Sequence, residues 1–232
     1  MPAHVDAWVE VPLVVVDVET SGLNPEVDRV VEIGIVLYRA GREVAHYGTF
    51  VKPGDDFKMP EDVRRVHGIG DDQIQQGLAP IDVLLWIVQH LRGYVPVAYN
   101  VPFDRSMLMA EAFRACVPQT VEAVSTATQQ AVSALLPEIL LPDTEWVDPL
   151  VWARHFQKYE KSKKLADVAQ RLGVSIAPTH RALDDARATG EVLMKLAGKM
   201  PKTWGELVSR QRELAVQQEK DFAAWRARKG LT

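Results

Sequence analysis

The pattern of apolar and polar positions changes character along the chain. Early on, apolar residues come in short β-branched runs. The run "LVVVDVE" (13–19) is too short for a helix and too continuously apolar for a half-solvated strand, which predicts a strand buried on both faces. "RVVEIGIVLYRAGREVAHYGTFVKP" (29–53) holds two strand-like runs around Gly41, an antiparallel hairpin. The period then lengthens. "PIDVLLWIVQHLRG" (80–93) reads as a helix, "YVPVAYN" (94–100) as a short strand, and "PFDRSMLMAEAFRAC" (102–116) as a helix with Pro in its first turn. A helix is expected near 121–135, a last strand at "EWVDP" (145–149), and helices near 149–158, 164–172 and 180–198. A hairpin followed by strands alternating with helices predicts an α/β fold: a mixed five-stranded sheet, antiparallel hairpin plus parallel strands, flanked by helices.

Composition narrows the class. Apolar residues make up 47% of the chain and charged residues 25%, the balance of an ordinary folded protein. No apolar run reaches membrane-spanning length and the first residues lack a signal-peptide pattern, so a cytoplasmic protein without a membrane partner is expected. The single cysteine excludes an internal disulfide and Cys-based zinc frameworks. A net charge of −4 argues against a broad basic face for duplex DNA, though not against gripping one strand end. Residues 158–164, "KYEKSKK", are a dense basic cluster in an otherwise acidic body, suited to a solvated helix end or to phosphate contact with an incoming strand.

The chemistry sits in the acids. Asp17 and Glu19 are two apart on a strand, so the pleat turns both carboxylates to one face, at a repulsive cost that a cation would remove. Asp104 opens the helix after "YVPVAYN", and "PTHRALDDARATG" (178–190) sets His180 ahead of two adjacent acids. At about 100° per residue, Asp184 shares a charged stripe with Arg181, Arg187, Glu191 and Lys195, whereas Asp185 shares one with Ala182, Thr189, Val192 and Leu196. The inward acid is the costly one and needs a partner. His180 is expected in the loop or first turn after Pro178.

The segments "DVETSGLNP" (17–25), "NVPFD" (100–104) and "HRALDD" (180–185), with "VHGI" (66–69) between them, resemble in order the motifs of the DEDDh branch of the DnaQ-like 3′→5′ exonucleases, a likeness covering residues 11–199. The resemblance implies an RNase H-like fold and two divalent ions, Mg²⁺ or Mn²⁺, held by Asp17, Glu19, Asp104 and Asp185, with His180 as general base. It further implies that Thr20, Val66, His67 and Phe103 hold the terminal nucleotide, although taken singly Val66 and Phe103 suit a core. Tyr99 departs from the family, where many members carry His. The expected activity is release of 5′-mononucleotides from 3′ ends of single-stranded or frayed DNA, in proofreading or repair. The alternatives are trimming of RNA 3′ ends and a catalytically silent module that docks on a polymerase or nucleic acid. An exonuclease domain over 1–200 would then be followed by a C-terminal helical extension, 201–232. Trp204, Leu207, Leu214, Phe222 and Trp225 lie near one stripe of that extension, interrupted by Gln211 and Gln218, a face for packing on the body or for docking a polymerase or other protein.

Overall fold

A computed structural model describes residues 7–116, 136–177 and 181–230. The helix expected near 121–135 and the placement of His180 fall outside them. Strands β1 (Leu13–Thr20), β2 (Val30–Arg39), β3 (Arg42–Phe50) and β4 (Val95–Val97) form a sheet of order β3-β2-β1-β4. β1 and β2 and then β2 and β3 pair antiparallel, whereas β4 joins β1 in parallel, with Leu13 opposite Val95 and Val15 opposite Val97. The β2–β3 hairpin turns through Ala40 and Gly41, both at positive φ, the conformation a two-residue hairpin loop of the primed type requires. Edge strand β3 is largely exposed.

Among the described residues the sheet has four strands, not the five expected. The segment around Val147 adds a single parallel bridge to Val97, in which Val147 N donates to the Pro96 carbonyl at 2.9 Å. It goes no further because Asp148 caps a helix and Pro149, which has no N–H to give a ladder, begins it.

Alternation along β1 divides the core in two. Leu13 and Val15, with Val36 and Tyr38 of β2, face a layer built from α5 (Pro149–Phe156), α6 (Leu165–Leu172), α7 (Ala182–Ala197) and the first half of α8 (Trp204–Lys229). Val14, Val16 and Val18, with Ile33 and Ile35, face α3 (Pro80–His90) and α4 (Val101–Cys116). Two short helices, α1 (Glu61–His67) and α2 (Asp71–Gln75), close a smaller cluster around Val31, Met59, Ile69 and Ile74. Among the described residues no helix is long and apolar enough to cross a membrane.

Helix α7 lies unusually close to the sheet. A Cβ on Gly34 would overlap the Ala182 backbone, and one on Gly190 would overlap the Tyr38 ring, so glycine at both positions lets helix and strand touch along their length. The first half of α8 is equally part of the body. Leu207 is fully buried, and the buried Gln211 accepts hydrogen bonds from Asp148 N (2.9 Å) and Trp152 Nε1 (3.1 Å) while its amide donates to the Trp146 carbonyl (2.7 Å). Gln218 donates to the Val151 carbonyl at 2.9 Å. The glutamines that break the apolar stripe in sequence are thus the polar contacts that seat it.

Gly34→Ala should destabilise the protein by about 1–3 kcal/mol, the cost of overpacking a closed core. Gly54→Ala, at an exposed site with nothing within 4 Å of the added carbon, should be neutral. Urea unfolding of both variants checks this; equal midpoints would show that the helix has room to retreat.

Candidate active site

The end of β1 carries Asp17 and Glu19 on the face that α7 covers. Opposite them on β2 stand Gly34 and Glu32, in the pairs Asp17–Gly34 and Glu19–Glu32. Cross-strand partners share a face, so the bare Cα of Gly34 lies beside Asp17 and admits the first turn of α7. Glu32 fixes that turn: its carboxylate accepts from Ala182 N at 3.1 Å and pairs with the Arg181 guanidinium at 2.6 Å. Arg181 also lies over the Phe50 ring, 5.0 Å from its centre. The acid of the next residues is thereby delivered to the strand end. Carboxylate oxygens of Asp17, Glu19 and Asp185 all lie within 4.8 Å of one another.

Asp104 approaches from the other layer. It sits in the first turn of α4, is 3% exposed, and accepts a hydrogen bond from Val18 N at 3.1 Å, the backbone between Asp17 and Glu19. It stands beside the trio rather than within it. The start of α4 is itself set by Asp148, whose buried carboxylate accepts from Asn100 N and Val101 N at 3.1 Å and from Leu150 N at 2.8 Å. Asn100, at φ +76°, makes the sharp entry into the helix.

Crowding acids in low dielectric favours their neutral forms. Desolvation, then repulsion from Asp185 and Glu32, pushes the Glu19 carboxyl up to about 8 against the pull of Arg181. Asp17 is raised well above the carboxylate range by desolvation and by Asp104, Asp185, Glu19 and Glu32. Burial raises Asp104 too, opposed by its backbone hydrogen bonds.

The adjacent pair separates as its helical phase requires. Asp184 turns outward toward Arg187, 3.6 Å away, and Asp185 turns to the strand. Arg181, by contrast, does not join the solvated stripe but caps α7 against the buried Glu32. Of the other expected positions, Thr20 is buried and its hydroxyl donates to the Gly22 carbonyl at 2.6 Å. Phe103 packs partly buried against the core. On α1, Val66 is 66% exposed, unlike a core residue, while His67 is buried with Nδ1 accepting from Ile69 N at 3.1 Å. Glu32, Gly34 and Asp148 were missed. The signals were a lone charge inside "VVEIGIVLY" and an Asp-Pro pair at a helix start.

The profile of the RNase_T exonuclease family matches residues 14–193. The chain is 28% identical to the DNA polymerase III subunit epsilon of Treponema pallidum, over 83% of this chain and 80% of that one. It is also 28% identical to the PolC-type DNA polymerase III of Thermotoga maritima over 82% of its length, but spans only 12% of that polymerase. In architecture it is similar to Exonuclease X in complex with 5′-overhanging duplex DNA (TM-score 0.60, 21% identity, covering 86% of this chain and 99% of that one). It is similar too to the nuclease domain of 3′hExo, a DEDDh member bound to rAMP (TM-score 0.64, 15% identity, covering 84% and 95%).

Raised carboxyls make stability depend on pH. Between the ordinary Glu value of 4.5 and about 8, the folded protein holds a proton on Glu19 that the unfolded chain releases, so stability should fall as pH rises through that window. The slope per proton is at most about 1.4 kcal/mol per pH unit. Glu19→Gln should flatten it and melt higher than the unsubstituted protein at pH near 8, both without divalent ions. Parallel melts across the window check this, and equal slopes would contradict it. With the acids assembled by β1, α4 and α7 and the profile spanning most of the sequence, the chain belongs to the RNase_T exonuclease family.

Proposed function

We propose that the protein is a metal-dependent 3′→5′ exonuclease that releases 5′-mononucleotides from single-stranded or frayed DNA ends. The observation that carries this reading is the convergence of Asp17, Glu19 and Asp185 within 4.8 Å, with Asp104 tied to the strand between the first two. The donor set fits hard divalent cations: carboxylate oxygens alone, crowded until their own charges oppose ionisation. Asp17, Glu19, Asp104 and Asp185 would hold two such ions, Mg²⁺ or Mn²⁺. Bound there, divalent cations supply charge stabilisation for the attacking and leaving oxygens of phosphodiester hydrolysis.

The chain's own groups do the rest. His180 takes the proton of the attacking water on an imidazole nitrogen, histidine being the side chain whose reference pKa lies nearest neutral pH. Thr20, Val66, His67 and Phe103 hold the terminal nucleotide, with the exposed Val66 as an apolar wedge and the Phe103 ring as a face for the base. Asp148 and Glu32 act through the backbone, setting α4 and α7 so that Asp104 and Asp185 meet the strand. DNA is favoured over RNA by the epsilon and PolC relatives, and a polymerase as partner by the same names. The rAMP in the 3′hExo complex keeps RNA 3′-end trimming as the second reading. A silent docking module is disfavoured, since nothing in mere docking requires acids held at this electrostatic cost.

Matched 3′-labelled and 5′-labelled DNA and RNA oligomers, digested with Mg²⁺ or Mn²⁺, test the assignment. Mononucleotides should leave the 3′ end only, and retention of full activity after exhaustive chelation would refute the metal requirement.

The two adjacent acids give a sharper check. Asp185→Asn should cut turnover by several orders of magnitude and Asp184→Asn by less than about threefold, because the latter loses only a half-exposed ion pair turned away from the acids. His180→Ala should slow hydrolysis about 10²–10⁴-fold and abolish the acidic limb of the pH–rate profile, with metal affinity retained. Equal damage from the two Asp substitutions would assign α7 the wrong catalytic face.

A further inference from the structure

A groove of about 890 Å³ opens beyond β4, between the start of α4 and the second half of α8. Asn100 and Val101 are part of its lining. Because β4 runs parallel to β1, these residues lie at the same end of the sheet as Asp17, and Asp104 follows within the first turn of α4. The groove therefore adjoins the candidate active site through the start of α4.

Its lining carries four Lys/Arg, Arg212 among them, against three acids, an excess of one positive charge. Arg154 of α5 and Lys161 and Lys163 of the α5–α6 connection line it. Among the described residues Arg154 and Lys161 make no salt bridge within 4 Å, although Arg154 lies near enough to Asp148 to favour its charge, and the Lys163 ammonium donates to the Glu160 carbonyl. The acids that share the lining are already engaged. Asp148 accepts three backbone N–H groups, Glu219 pairs with Arg226 at 3.1 Å, and Asp221 accepts from Gln217 at 2.8 Å. The basic connection is also pinned in place: the Tyr99 hydroxyl donates to the Lys163 carbonyl at 2.6 Å, and Arg171 donates to the Ser162 carbonyl at 2.7 Å. At the outer end Phe222 and Trp225 stack on each other, ring centres 5.6 Å apart and planes 12° from parallel, yet they stay 51% and 42% exposed.

We infer that this groove carries the single-stranded part of a nucleic-acid substrate behind its 3′ terminus, with Arg154, Lys161 and Lys163 on phosphates and the Phe222–Trp225 pair as a stacking platform for an unpaired base. The inference rests on the exonuclease reading of the neighbouring acids. Cations along a backbone track that end at an exposed aromatic face are what single strands require, and stacking there demands a base free of its pair. An apolar protein helix laid in the same groove would bury Lys161 without a partner, at a desolvation cost that phosphates instead offset.

The test uses the full chain. Fluorescence anisotropy in the presence of chelator measures binding of oligothymidylates of about 4 and about 16 nucleotides, and of an oligouridylate of the longer length. Hydrolysis of a dinucleotide and of the longer oligomer is followed with Mg²⁺. Trp225→Ala and Lys161→Glu should each weaken binding of the longer strand about fivefold or more and raise its KM, with dinucleotide turnover and thermal stability unchanged. Lys161→Ala should lower the slope of log affinity against log salt by about 0.7. Arg42→Glu, on the exposed edge strand far from the groove, serves as control. The uridylate arm shows whether both sugars share the track. Unchanged binding of both long oligomers in the two variants overturns the proposal, as does a loss equal for dinucleotide and long strand. Weakened binding in an enzyme that cleaves no 3′ end would leave the groove standing and overturn the exonuclease reading alone.

Discussion

The contact between the first turn of α7 and strand β2 at Gly34 is the constraint on which the rest of the site depends. A helix packed on a sheet through ordinary side chains is held off by a full side-chain layer, too far for a short Asp side chain to reach a strand carboxylate. With no side chain at Gly34, the Ala182 backbone rests on the strand itself, and Asp185, one turn on, meets Asp17 and Glu19. Close approach alone would not choose a register. Glu32 does, by accepting the Ala182 N–H and gripping Arg181, so that sliding the helix by one residue would break a half-buried charge-assisted pair.

That anchor carries a further consequence for the acids. Glu32 lies directly across from Glu19 and adds to the charge that opposes its ionisation, while Arg181, which offsets part of that charge, is held by Glu32 at the rim. The arrangement neutralises the structural acid and leaves the remaining carboxylates in want of positive charge. A lysine or arginine inserted among them would have satisfied the fold more cheaply. A small cation held there would relieve that repulsion and so couple its binding to folding stability.

Much of this was legible in the sequence, and the part that was not has a common cause. The β-branched run of β1, the hairpin at Gly41 and the helical phase separating Asp184 from Asp185 are local patterns, each set by a period of 2 or 3.6 along one element. Strand count failed because a fifth strand at Val147 depends on backbone N–H groups that Asp148 and Pro149 withhold, a matter of capping rather than of apolar pattern. Glu32, Gly34 and Asp148 went unread for the same reason: each acts on a segment distant in sequence, Glu32 and Gly34 on Ala182 and Asp148 on Asn100 and Val101. Arg181 was misread as part of a solvated stripe since its partner lies 149 positions away. Outliers within a pattern, such as one Glu in an apolar strand, mark such long-range contacts without naming the partner.

The C-terminal helix shows how far such a contact can propagate. Gln211 accepts the N–H of Asp148 and the indole N–H of Trp152 and donates to the carbonyl of Trp146, so one amide closes a buried polar gap between α8 and the segment entering α5. Asp148 in turn fixes the first N–H groups of α4, and α4 presents Asp104 to Val18. Every link is a buried or part-buried hydrogen bond whose loss would strand a polar group, costing about 1–3 kcal/mol. The first half of α8 is therefore bound to the geometry of the acids through the backbone it caps. Its second half is free of that duty, since every residue from Glu219 to Gly230 is exposed. One helix thus serves the carboxylates at its start and, at its far end, has surface to spare for a strand leading toward them.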